Sequence, residues 1–251
     1  MHDATSAPVG DQVARLQQRL EQLEARVTEL EQQGVAAVRR PAGSGSSSAR
    51  GSAAAGGAGV APEWTQPYEV AELEVGETWI EMHEPSARRQ LHRLIREVVT
   101  AEGPITEQLA LRRVREAWGL KRAGARIQQV FDQNIRQLCV QETIERRAGD
   151  VLAVPGQELD VVRVPGADEA TRRSVDEIPA QELELALLRM ARDRGSVAVD
   201  ELTMLVAKMF GWTRRGTEIQ NTLDARVEAL LAGGGLTRSA GGDVAAADPM
   251  S

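Results

Sequence analysis

Five polar side chains near the middle of the chain, Arg122, Arg126, Gln129, Gln133 and Arg136, recur at spacings of 4, 3, 4 and 3. That spacing marks one face of an α-helix, and the opposite face carries Ile127, Phe131, Ile135 and Leu138. An arginine fork matches the O6 and N7 atoms of guanine, and a glutamine amide matches N6 and N7 of adenine, so a row of both can read a groove edge. Lys121 beside the row, and Arg146 and Arg147 after it, add cations suited to phosphates. The chemistry expected is nucleic-acid binding, with DNA as the ligand. The competing reading is a solvated arginine-rich helix, or a module that binds a protein instead.

Catalytic chemistry finds less to work with. The only histidines are His2, His83 and His92, and none has a cysteine or aspartate at metal-ligand spacing, so surface or half-buried roles are expected in place of a metal site. Cys139, the single cysteine, follows core residue Leu138 and is read as a buried, inert thiol. Carboxylates are spread over helix surfaces without forming an acid–base pair, and no GxxxxGK[ST] phosphate loop occurs. No enzyme activity, cofactor or metal is expected.

The elements that must position the polar row come from apolar periodicity. A first helix over 87–103 buries Leu91, Leu94, Ile95 and Val98, and a short extended link then lets Ile105 drop into the core. A second helix over 106–119 has Thr106 as N-cap and Gly119 as stop, with Leu109, Ala110, Val114, Ala117 and Trp118 on its apolar side. The third helix carries the polar row. Alternation in "TIERRAGDVLAV" at 143–154, around a Gly-Asp turn, predicts a β-hairpin. This order is that of a winged helix-turn-helix.

The chain then repeats itself at an offset of 92. Leu91 pairs with Leu183, Gly103 with Gly195, Val114 with Val206, Gly119 with Gly211, Arg122 with Arg214, Gly124 with Gly216, Ile127 with Ile219 and Asp132 with Asp224. Matches in register over this length indicate two domains of one kind. Helices are expected near 180–194, 200–210 and 214–232, with a weaker wing around Leu236 to Ala245. Gly119 and Gly211 are read as left-handed helix stops, and Gly124 and Gly216 as first-turn glycines that allow close approach by a helix or a phosphate.

The segments "VVTAEGPITEQLALRRVREAWGLKRAGARIQQVFDQNI" and "RRSVDEIPAQELELALLRMARDRGSVAVDELTMLVAKMFGWTRRGTEIQ" resemble a bacterial domain of unknown function. That domain stands at the C-terminus of large proteins pairing a superfamily 1 helicase core with a Vsr-like nuclease domain. The resemblance covers about residues 66–240 and is most specific at E-G-P-I (102–105) and W-G-x-x-R-x-G (118–124). It implies association with a helicase or nuclease partner. Where relatives commonly carry histidine after E-G-P-I this chain has Thr106, and neither catalytic part of those proteins is present in it.

Around these units lie simpler segments. Residues 1–10 are read as disordered, and 11–33 as a coiled coil in which Val13, Leu16, Leu20, Leu23, Val27 and Leu30 form a heptad seam. In that register Arg19 and Arg26 meet Glu24 and Glu31 of a parallel partner, which predicts a homodimer. Residues 34–62 are a Gly/Ser/Ala linker, and 63–85 an acidic arm that either packs on the next domain or competes for a basic surface. The first winged helix is placed at 86–155, a linker at 156–177, the second winged helix at 178–246 and a tail at 247–251. The expected class is mainly α with small β-hairpin wings. Residues 86–154 hold 13 basic against 8 acidic side chains, and 178–238 hold 8 against 8, so the overall charge of −7 hides a basic first unit. The polar face of the second unit, Arg214, Glu218, Asn221, Ala225 and Glu228, would repel DNA along most of its length. No apolar run is long enough to cross a bilayer and no secretory signal is visible, so a cytoplasmic protein is expected.

Overall fold

The computed structural model describes residues 62–76, 80–214 and 216–247. The heptad residues Val13, Leu16, Leu20, Leu23, Val27 and Leu30, the linker up to residue 61, and Trp79 lie outside the described residues. Within them, helices dominate and the strands are short.

The first half runs through β1 (Thr65–Pro67), a 3-10 turn (Pro85–Ala87), α1 (Arg88–Glu102), β2 (Ile105–Thr106), α2 (Glu107–Ala117), α3 (Ala125–Val140), β3 (Glu145–Arg147) and β4 (Val151–Ala153). After β5 (Val162–Val164) and two further 3-10 turns, the second half gives α4 (Ala180–Arg194), α5 (Val199–Met209), α6 (Thr217–Ala232), β6 (Leu236–Arg238) and β7 (Val244–Ala246). Starts at 88, 107 and 125 answer starts at 180, 199 and 217, so all three helix pairs keep the offset of 92 seen in the sequence.

Each half packs three helices against a small sheet. In the first, β2, β4 and β3 lie in that order with antiparallel pairing, Ile105 opposite Leu152 and Arg146 also opposite Leu152. In the second, β6 and β7 pair antiparallel and Val197 bridges to Val244, which restores the same strand order around one shorter member. The expected core residues Leu91, Leu94, Ile95, Val98, Ile105, Leu109, Val114, Phe131, Ile135 and Leu138 are all buried, each large one contributing roughly 1.5–3 kcal/mol.

Helix ends follow from the chemistry at each boundary. Thr106 caps α2, its hydroxyl oxygen accepting from Leu109 N at 3.3 Å. Gly119 and Gly211 follow α2 and α5 at φ of 76° and 77°, a region that costs a residue with Cβ dearly.

Two segments outside the repeats pack into the fold through their described residues. Residues 63–85, read as an acidic arm, bury Tyr68 and Met82 and pack Val70, Leu73, Val75 and Ile80 on the first core. Residues 156–177, read as a linker, contain β5, which runs parallel to β1 with Thr65 opposite Val162. Trp64 reaches the second core, so the arm is built into both halves.

Candidate nucleic-acid interface

The third helix of the first half begins at Ala125, after an N-cap at Gly124 that supplies no side-chain cap. Lys121 and Arg122 therefore stand in the turn before the helix, and the row on the helix itself is Arg126, Gln129, Gln133 and Arg136. All six side chains are exposed, while Phe131, Asn134, Ile135 and Leu138 turn inward. The same row on α6 presents Glu218, Asn221, Ala225 and Glu228, also exposed.

The cations differ in their freedom. Lys121, Arg122 and Arg126 form no ion pair among the described residues. Arg136 is held by Asp132 one turn back at 2.9 Å. Asp132 also accepts from Arg146 Nη2 at 2.8 Å, and Glu107 Oε2 accepts from the same nitrogen at 2.9 Å. Hydrogen bonding to Asp132 raises the Arg146 pKa further above its ordinary value, whereas burial pushes the Glu107 carboxyl up. Arg147 donates to Glu145 at 2.6 Å and to the carbonyl of Gln157. The two hairpin arginines expected on phosphates are thus committed within the chain, and a phosphate there must displace a carboxylate or a carbonyl.

The first-turn glycines need a correction. Neither is crowded: a Cβ on Gly124 or on Gly216 would meet nothing within 4 Å, so no neighbouring helix demands their small size. Both are N-caps with extended backbone angles that any residue can adopt. Cys139 is a half-buried free thiol whose pKa burial pushes up. Among the described residues no three His, Cys, Asp or Glu side chains are grouped to hold a metal, and no helix is long and apolar enough to cross a membrane.

Sequence reasoning missed a buried charged cluster between the halves. Glu102 accepts from the Tyr68 hydroxyl at 2.5 Å and from Arg113 Nε at 2.9 Å. Glu182 accepts from Arg173 through both oxygens, at 2.9 and 2.8 Å, and from Arg163 Nη2 at 2.6 Å. Arg163 also reaches the carbonyl of Glu102 at 2.6 Å, and Arg173 lies 4.0 Å over the Tyr68 ring. One signal was present: Arg113 sits in the apolar row of α2, four residues after Leu109 and three after Ala110, where a charge needs a buried partner.

Two indoles serve as matching tethers. Trp118 Nε1 donates to the Ile80 carbonyl and Trp212 Nε1 to the Arg173 carbonyl, each at 2.9 Å. In each half an indole just after the second helix thereby fixes the chain that leads into the first helix.

Residues 81–129 match a protein family described as a protein of unknown function (DUF3320). The matched stretch runs from just before the 3-10 turn into the N-terminal part of α3, and so includes E-G-P-I and W-G-x-x-R-x-G. No curated protein and no solved structure matches the chain.

Proposed function

We propose that each half is a winged helix-turn-helix and that the chain is a non-catalytic DNA-binding accessory factor. On this reading α3 is the recognition helix, and the N-terminal heptad pairs two chains. The order helix, short strand, helix, helix, hairpin supports the fold reading in the first half, and the second half follows it with a single bridge at Val197 in place of the strand. One observation carries the functional reading: the exposed row of α3 is cationic and amide-bearing, whereas the row of α6 at the same sequence offset carries two glutamates and no cation, with Arg214 standing ahead of the helix. Arg126, Gln129 and Gln133 face bases, with Lys121 and Arg122 on the flanking phosphates. Pairing two chains through a linker would add avidity to a weak single contact.

The test is fluorescence anisotropy of the full chain with duplex DNA across a salt series, comparing wild type with Arg122→Glu/Arg126→Glu. Binding should weaken about tenfold or more in the variant, with a shallower salt dependence. Failure of the wild type to bind at low salt would sink the DNA reading. The chain would then be better read as a scaffold docking onto a helicase or nuclease partner.

A further inference from the structure

A second unpaired cationic group lies on α1, away from the polar row of α3. Arg88, His92 and Arg96 follow one another at every fourth position, so they share one side of the helix over about 12 Å. Arg89 and Arg93 run beside them. These side chains line a cleft of about 890 Å³ closed on its other side by Leu138 and Gln141 at the end of α3.

Three features separate this cleft from an ordinary solvated helix face. Its lining among the described residues contains four arginines and no carboxylate. Arg88, Arg89 and Arg96 form no ion pair there, and only Arg93 is matched, to Glu97 at 2.9 Å. The Nε2 atom of Gln90 is shielded from solvent and has no hydrogen-bond partner. Burial holds the His92 imidazole below its ordinary pKa against the opposing hydrogen bonds of Asn134 and Gln137, with smaller contributions from Arg88 and Arg96. Ser86, in the cleft lining, donates to the Glu84 carboxylate at 3.1 Å.

Like charges gathered around a concave space repel one another until an anion enters. Arginine forks favour planar, multiply charged oxyanions, and bidentate geometry suits phosphate in particular. The volume falls in the range of small-ligand sites, roughly 300–1,000 Å³. We propose that this cleft binds a ligand bearing two or more adjacent phosphates, supplied either by a small polyphosphate compound or by the backbone of a nucleic-acid strand. It does not depend on α3 reading DNA.

The test titrates the full chain with inorganic tripolyphosphate at low salt by calorimetry. The variants are Arg88→Gln/Arg89→Gln and a control of equal charge change at exposed positions of α4, Arg192→Gln/Arg194→Gln, with circular dichroism confirming the fold. Wild type should bind one tripolyphosphate per chain. The cleft variant should lose about tenfold or more in affinity, and the control should stay within about twofold. Anisotropy with DNA then separates the sources. Loss of DNA affinity in the cleft variant, with tripolyphosphate competing, identifies a strand backbone; unchanged DNA behaviour identifies a small polyphosphate. Absence of saturable tripolyphosphate binding, or equal loss in both variants, overturns the proposal. Arg122→Glu/Arg126→Glu must leave tripolyphosphate binding intact, so a failure of the α3 reading shows up separately.

Discussion

The seam between the halves and the outer surface of the first half use the same side chain under opposite conditions. At the seam Arg113 and Arg173 are 4% and 5% exposed, and every charge faces a partner. On the surface Lys121, Arg122 and Arg126 stand before and on α3, and Arg88, Arg89 and Arg96 stand on α1, without an ion pair among the described residues. The thirteen basic residues of 86–154 therefore overstate what a ligand can meet. Arg93, Arg112, Arg113, Arg115, Arg136, Arg146 and Arg147 are all held by carboxylates of the chain itself. Buried, paired arginine ties the two halves together; the exposed arginines without an ion pair carry no such structural role. Seam substitutions should move stability, and surface substitutions should move binding.

The largest effect belongs to Glu182→Ala. Glu182 is fully buried at 0% exposure, and removing its carboxylate strands Arg163 and Arg173 inside the protein. Breaking a buried pair from one side costs about 3–5 kcal/mol, readable as a lower urea midpoint. DNA and tripolyphosphate binding should persist wherever the variant is folded.

Acid should probe the same residue. Burial alone would raise the Glu182 pKa, but Arg173 and Arg163 outweigh it and hold the carboxyl below its ordinary value. Its contribution is then complete above the unfolded pKa and is lost as pH falls through the lower folded one. Glu182→Gln should flatten the acid limb of a stability-versus-pH curve. Tyr68 governs the alkaline side: burial, then Glu102, raises its pKa, so stability should decline once pH passes the ordinary tyrosine value near 10. Tyr68→Phe should remove that decline.

How much of this could be read from residues alone differs between the two regions. Helices α1 to α6, the Thr106 cap, the Gly119 and Gly211 stops and the 143–154 hairpin were legible because each rests on local periodicity or local turn chemistry. The exposed row of α3 was legible for the same reason, as the complement of Ile127, Phe131, Ile135 and Leu138. The seam was not. Strands β1 and β5 have three residues each, too few to show alternation, and they pair across almost a hundred positions. Arg163 and Arg173 sit in a stretch whose charge reads as solvated linker until Glu182 is brought beside it. Ion-pair partners such as Asp132 with Arg146 are likewise set by packing, which is why the hairpin arginines looked free in sequence.

The smallest effect is the sharpest comparison between the halves. Gly124 and Gly216 cap α3 and α6 without a side chain, and neither position is crowded. A serine at either site can accept from an orphan N–H of the first turn and also narrows the unfolded ensemble, for a gain of roughly 0.5–1 kcal/mol. Gly124→Ser and Gly216→Ser should therefore raise the urea midpoint by similar small amounts. Their effects on ligand binding should part. If the open N-terminus of α3 meets a phosphate, the new hydroxyl competes for the same N–H groups, and Gly124→Ser weakens DNA binding as it stabilises the fold. Gly216→Ser, at a helix whose outer row carries Glu218 and Glu228, should leave that affinity unchanged. Equal binding by the two variants would mean that the α3 terminus takes no part, and would confine DNA contact to the side chains of the outer row.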